Sequence, residues 1–178
     1  MDTIQLSRIL NTDPFVRKRF GKVCARDQLP KRALRRSYVI NTDVIKNPGQ
    51  HWVCVYFDIQ DDGCVIGEYF DSYGRYPCIE IERFLSDNCT RWIYSEDILQ
   101  GLFTKLCGHY CIYYLYHRHR SIQPLHIHDR KLRIWYQRTI GDTQPLTLGQ
   151  RCECRGIKPF HVKNSDGTSL ILTDSMLR

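Results

Sequence analysis

Residues 51–74, HWVCVYFDIQDDGCVIGEYFDSYG, decide the fold. Two runs rich in β-branched and aromatic residues, HWVCVYFD (51–58) and CVIGEYFDSYG (64–74), flank IQDDG (59–63), a cluster of turn formers. The pattern predicts an antiparallel hairpin over 51–71. With its turn centred near Asp61, partners across the ladder sum to about 122, which sets His51 opposite Asp71 at one end of a two-stranded ribbon. A carboxylate beside an imidazole orients the ring and stabilises its protonated form. Glu68 lies three positions from Asp71, so it should point to the other face and is the second choice for that role. Asp71 followed by Ser72 also reads as a plain turn pair.

The flanking segments supply the rest of a mixed fold. SYVINTD (37–43) and RWIYS (91–95) read as strands, ERFLSDN (82–88) and HDRKLRIWYQR (128–138) as helices. TDPFVRKRF (12–20) is expected to form a short helix, with Thr12 or Asp13 as cap and Pro14 at its first position. LQGLFTKLCGHYCIYYLYHR (99–118) passes from a polar loop into an aromatic-rich helix. Within it Cys107, Cys111, Tyr114, Leu115 and Arg118 share one helical face, so this helix should sit centrally. Residues 141–178 show no sustained period. The expected organisation is one domain over 1–140, of α+β class, followed by an atypical C-terminal tail over 141–178.

Composition bounds the class. A chain of 178 residues, 42% hydrophobic and 25% charged, can bury one sizeable core. The opening MDTIQLSRIL lacks a basic start with an apolar run, and the longest apolar stretch, CIYYLY (111–116), is too short to span a bilayer. A soluble intracellular protein without membrane contact is expected. Nine cysteines, an odd number at irregular spacings, fit reduced thiols better than a disulfide framework. The net charge of +7 is unevenly spread: residues 1–36, 37–100 and 101–178 carry about +7, −7 and +7. Basic segments 1–36 and 118–163 suit a polyanion such as DNA, or else neutralise the acidic middle of the chain itself.

A cysteine is a useful nucleophile only as the thiolate. At a helix start, free amides and the helix dipole favour that anion at Cys107, although a core thiol is the alternative. Of the seven histidines, His51, His109, His117, His119, His126, His128 and His161, His51 is the candidate base because it opens a strand after the turn-like NPGQ (47–50). His109 stands two residues beyond Cys107 and cannot share its helical face. His117 and His119 close the same helix, where cations oppose the dipole, so a C-terminal capping role is expected. An oxyanion needs donors: the Cys107 amide is one and the Gln100 side chain another. Gly108 would leave room for substrate backbone beside the nucleophile. Cys152, Cys154 and His161, with His126 or His128, form a weaker zinc candidate, since a single residue between the cysteines is shorter than usual spacing.

GQHWVCVYFD, GEYFDSYG and Gln100 followed by Leu106-Cys107-Gly108 occur in an order that resembles the adenovirus-type cysteine proteases (adenain) and their relatives in Maverick/Polinton transposons and viruses. More distantly the order is similar to that of the ubiquitin-like-modifier proteases. The resemblance covers roughly residues 20–120. It implies a papain-like α+β variant, with a central mixed sheet and the nucleophile on a packed helix. It further implies His51 as general base, Asp71 as its orienting carboxylate, Gln100 as oxyanion-hole residue and Cys107 as nucleophile, with Trp52 shielding the ion pair. The adenovirus enzyme has Glu where this chain has Asp71. No cofactor is implied. The expected activity is endopeptidase cleavage next to Gly or small residues in viral or transposon-type structural precursors, in the nucleus, cytoplasm or a virion-like particle. Removal of a ubiquitin-like modifier, and an inactive nucleic-acid-binding remnant, are the alternatives. The adenovirus enzyme is stimulated by DNA and a short peptide, which would give the basic segments a purpose.

Overall fold

The computed structural model describes residues 1–140, 160–164 and 169–172. Its frame is a mixed sheet in which the strands are neighbours in chain order. β1 (Phe20–Ala25) runs parallel to β2 (Ser37–Asn41), which pairs antiparallel with β3 (Trp52–Ile59). The hairpin continues into β4 (Val65–Phe70), parallel to β5 (Arg91–Tyr94). The backbone of β6 (Phe160–Asn164) and β7 (Ser169–Leu172), both within 141–178, continues the sheet antiparallel beyond β5. The other residues of 141–178, including Cys152 and Cys154 of the zinc candidate, lie outside the described residues.

β3 is covered on both faces, which is why its sequence reads as a nearly unbroken apolar run. Cys54 and Tyr56 face a core shared with α1 (Thr3–Thr12), α3 (Cys107–Arg118) and α4 (Asp129–Thr139). Val53, Val55 and Phe57 face a second core, closed by Ile81, Phe84 and Leu85 of α2 (Ile79–Asn88). The period of two along one strand therefore feeds two separate cores.

The helix expected over 12–20 is corrected by the structure. Asp13 does cap, its carboxylate accepting from the Phe15 and Val16 amides, but only one turn follows, because Phe20 already begins β1. The actual helix precedes it. Asp2 and Gln5 form a reciprocal capping box at its start, and Leu6 and Leu10 bury one face.

α3 is buried over most of its circumference, not along one stripe. Its far end is indexed to the sheet by an internal ion pair: the Arg118 guanidinium binds Glu68 of β4, and the Tyr114 hydroxyl donates to the same carboxylate at 2.7 Å. Glu68 is thereby fully engaged away from His51. His119 is not the capping cation expected. It is buried, bonded to Ser37 Oγ at 2.7 Å, and burial together with Arg19 and Arg36 pushes its pKa down to about 4, so it is neutral. His117 Nδ1 does meet the Tyr113 carbonyl one turn back, at 2.8 Å.

Candidate active site

The hairpin register places the first two site residues, and it differs from expectation. Gln60 and Cys64 close the turn, with the Gln60 amide donating to the Cys64 carbonyl at 2.8 Å and Gly63 at φ +83°. Cys54 pairs with Phe70 and Val55 with Tyr69, so the turn centres on Asp62 and the direct pairing of His51 with Asp71 does not occur. The residues meet on the diagonal instead. His51 stands one position before β3 and Asp71 one after β4, where both side chains leave the ladder and turn to the same end of the sheet. His51 Nε2 lies 2.6 Å from Asp71 Oδ1, both side chains being buried.

Cys107 is the first residue of α3, whose preceding residue, Leu106, offers no side-chain cap. The opening amides of the helix are thus free to act on the thiol. Burial works to raise the Cys107 pKa, but hydrogen bonding with His51 and the backbone amides of Trp52 and Gly108 outweighs it and brings the thiol below its ordinary value. Burial likewise works against a charged His51, and hydrogen bonds to Asp71 and Cys107 overcome it, lifting the imidazole to about 9. Because Nε2 faces Asp71, Nδ1 is the ring nitrogen left for Cys107. Both shifts run toward a thiolate beside an imidazolium.

Gln100 lies on the loop before α3 and is 2% exposed. Its Oε1 accepts from Ser72 Oγ at 2.7 Å, while Nε2 donates to the Tyr73 hydroxyl at 3.1 Å and to the Thr104 carbonyl. His51, Gln100 and Cys107 line one cleft of about 680 Å³, with Trp52, Tyr73 and Gly108. The four residues singled out in the sequence thus meet at one end of the sheet.

Two neighbours differ from expectation. Gly108 contributes only backbone to the cleft: a Cβ there would come within 3.3–3.4 Å of Met1 and Leu6, so the glycine admits α1 and does not leave space for a ligand. The ring against His51 is Tyr73, with centroids 4.9 Å apart, whereas Trp52 turns its indole Nε1 to the Met1 carbonyl at 3.1 Å. Sequence reasoning missed Tyr73 and gave Ser72 only a turn role. The available signal was their place directly after Asp71. Among the described residues no group of three or more His, Cys, Asp or Glu side chains is arranged to hold a metal ion, and no helix is long and apolar enough to cross a membrane. The seven described cysteines are free thiols.

A thiol at a helix start beside a carboxylate-bound imidazole, at the end of a mixed sheet, is an arrangement suited to thiol-based nucleophilic catalysis. Two comparisons set the chain beside a cysteine protease. The chain is 27% identical over 97 residues to a cysteine protease of African swine fever virus, a match covering 49% of this chain and 35% of that protein. The crystal structure of an African swine fever virus protease superposes with a TM-score of 0.57 at 18% identity, covering 78% of this chain and 66% of that one. A second crystal structure, of the selenomethionine form, gives a TM-score of 0.46 at 23% identity, covering 60% and 44%. The α+β fold is shared with that protease. The chain spans less than two thirds of the length of these relatives. No family model matches it.

Proposed function

We propose that the protein is a cysteine endopeptidase. The observation that carries this reading is the chain of contacts from buried Asp71 through buried His51 to the half-buried Cys107 in an open cleft, which lowers the thiol's pKa and raises the imidazole's. The Cys107 thiolate attacks a peptide carbonyl, the oxyanion is held by the Cys107 amide and by the Gln100 NH₂, sharing the hydrogen it gives the Tyr73 hydroxyl, and His51 gives its proton to the leaving amine. Water, deprotonated by His51, then releases the acyl group. The cleft suits a polypeptide: Ile45, Leu102 and Phe103 along its lining are exposed apolar side chains. Cleavage next to Gly or another small residue in viral or transposon-type structural precursors, inside the cell or a virion-like particle, is what the resemblance implies.

The test is labelling by a peptide probe ending in Gly that carries a thiol-reactive group. Wild-type protein should be labelled at Cys107, and both Cys107→Ala and His51→Ala should lose the label. Folded wild-type protein that stays unlabelled would remove the basis for this reading.

A DNA contact is favoured by one observation. Arg17, Lys18 and Arg19 are exposed, as are Lys31, Arg32 and Arg35, and the Arg35 guanidinium donates to the Lys18 carbonyl, joining the two clusters. Arg118 and Arg120, by contrast, are engaged with Glu68 and Asp13. Binding to these clusters should weaken steeply as salt is raised, and salt-insensitive binding would argue against it.

A further inference from the structure

The tripeptide Asp71-Ser72-Tyr73 touches both halves of the proposed machinery. Asp71 holds the imidazole, and its Oδ1 also accepts from the Tyr73 amide at 2.8 Å. The Ser72 carbonyl accepts from the Leu99 and Gln100 amides at 2.9 and 3.0 Å, which pins the Gln100 loop to the end of β4. Ser72 is 1% exposed and its hydroxyl donates to Gln100 Oε1. The Tyr73 ring lies on His51 while its hydroxyl accepts from Gln100 Nε2. Gly74 completes the corner at φ +65°, its amide donating to the Asp71 carbonyl, and a Cβ there would strike the Glu96 carbonyl at 2.3 Å.

The orientation of the Gln100 carboxamide follows from donor and acceptor chemistry. Hydroxyls can face either end of a carboxamide, but a carbonyl oxygen only accepts, so the Thr104 carbonyl requires the NH₂ on its side. Oε1 is then left facing Ser72, whose hydroxyl must donate. Without that donor a buried Oε1 loses its partner, and the Thr104 carbonyl alone is left to hold the NH₂ end of the carboxamide in place.

We propose that Ser72 and Tyr73 are positioning residues: the corner after β4 sets the His51 imidazole and the Gln100 carboxamide as one unit, Ser72 through Oε1 and Tyr73 through both ring and hydroxyl. This rests on the endopeptidase reading, in which Gln100 serves the oxyanion. It makes the base and the oxyanion donor neighbours of a single backbone segment.

The experiment compares wild type, Ser72→Ala, Tyr73→Phe, Gln100→Ala and Ser72→Ala/Gln100→Ala. Three readouts are taken: hydrolysis of a coumarin amide of a peptide ending in Gly-Gly, the pH profile of Cys107 alkylation by iodoacetamide, and the NMR resonances of the Gln100 side-chain NH₂. Ser72→Ala should lower kcat about tenfold or more with KM little changed, since the donor is lost mainly in the transition state. Its alkylation profile should match wild type, because the thiolate and imidazolium do not use Gln100. In the Gln100→Ala background the Ser72→Ala change should cost nothing further. Tyr73→Phe keeps the ring on His51, so it too should leave the alkylation profile in place while lowering kcat. Both Ser72→Ala and Tyr73→Phe should shift the Gln100 NH₂ resonances. Unchanged resonances in Ser72→Ala would overturn the proposal, as would an equal loss of kcat with and without Gln100. If the wild type hydrolyses nothing, the endopeptidase reading loses its support, and the NH₂ resonances still decide whether Ser72 and Tyr73 position Gln100.

Discussion

Replacing Asp71 by Asn removes one charge from a site where that charge has a calculable effect. His51 is lifted from 6.5 to about 9, worth about 3 kcal/mol in favour of imidazolium at about 1.4 kcal/mol per pH unit. Burial opposes the lift, and among the groups that overcome it the hydrogen bond to Asp71 comes first, followed by that to Cys107. An asparagine keeps the shape and gives up the charge. Losing at least half of the lift would bring the His51 titration down by about one pH unit or more. Because the Cys107 thiolate leans on that imidazolium, its own pKa should rise in step. Ring resonances of His51 followed by NMR across the pH range measure the first effect directly. Alkylation by iodoacetamide at mildly acid pH, where the variant should react roughly tenfold more slowly than wild type and converge with it in alkali, measures the second. An Asp71→Asn protein that still titrates at about 9 would refute the electrostatic account of the site.

Two further predictions concern the frame. Arg118→Met leaves Glu68 buried without its cation, so unfolding should become easier by about 3–5 kcal/mol in urea titrations, and a change below about 1 kcal/mol would contradict the anchoring role of the pair. His119 has a folded pKa of about 4 against 6.5 for the free side chain, so the unfolded chain takes up this proton first as pH falls. The stability its neutral form provides is complete above 6.5 and declines as pH falls to about 4, by up to about 3 kcal/mol. His119→Gln, which keeps a partner for Ser37, should flatten that limb of a denaturation-against-pH curve, and an unaltered limb would assign acid sensitivity elsewhere.

The parts of the fold legible in the sequence are those carried by local pattern. The runs at 51–58 and 64–74 specify strands because β-branched and aromatic residues favour a covered, pleated surface, and 107–118 specifies a helix by its period. The convergence of His51, Asp71, Gln100 and Cys107 was readable from their order along the chain. Their actual contacts were less so. The turn is one residue position further on than Asp61 because Gly63 accepts a positive φ and Cys64 closes the loop, and that choice depends on backbone geometry at the tip. α1 carries a capping signal in Asp2 and Gln5 but only two buried leucines, so its pattern is faint without the first turn of α3 to pack upon. His119 reads as a helix-end cation until tertiary packing surrounds it with Arg19 and Arg36 and takes away its water. Ser72 and Tyr73 act across 27 or 28 positions of chain, a distance at which no local period operates.

The register of the hairpin also sets where this protein tolerates added sequence. Its tip, Gln60 to Cys64, lies at the opposite end of β3 from His51, about 26 Å away along eight residues of extended chain. A reporter peptide or affinity handle spliced between Asp61 and Asp62 would lengthen only the loop and leave every rung of the ladder in place. One extra residue inside β3 or β4 would exchange the two cores and swing His51 away from Asp71.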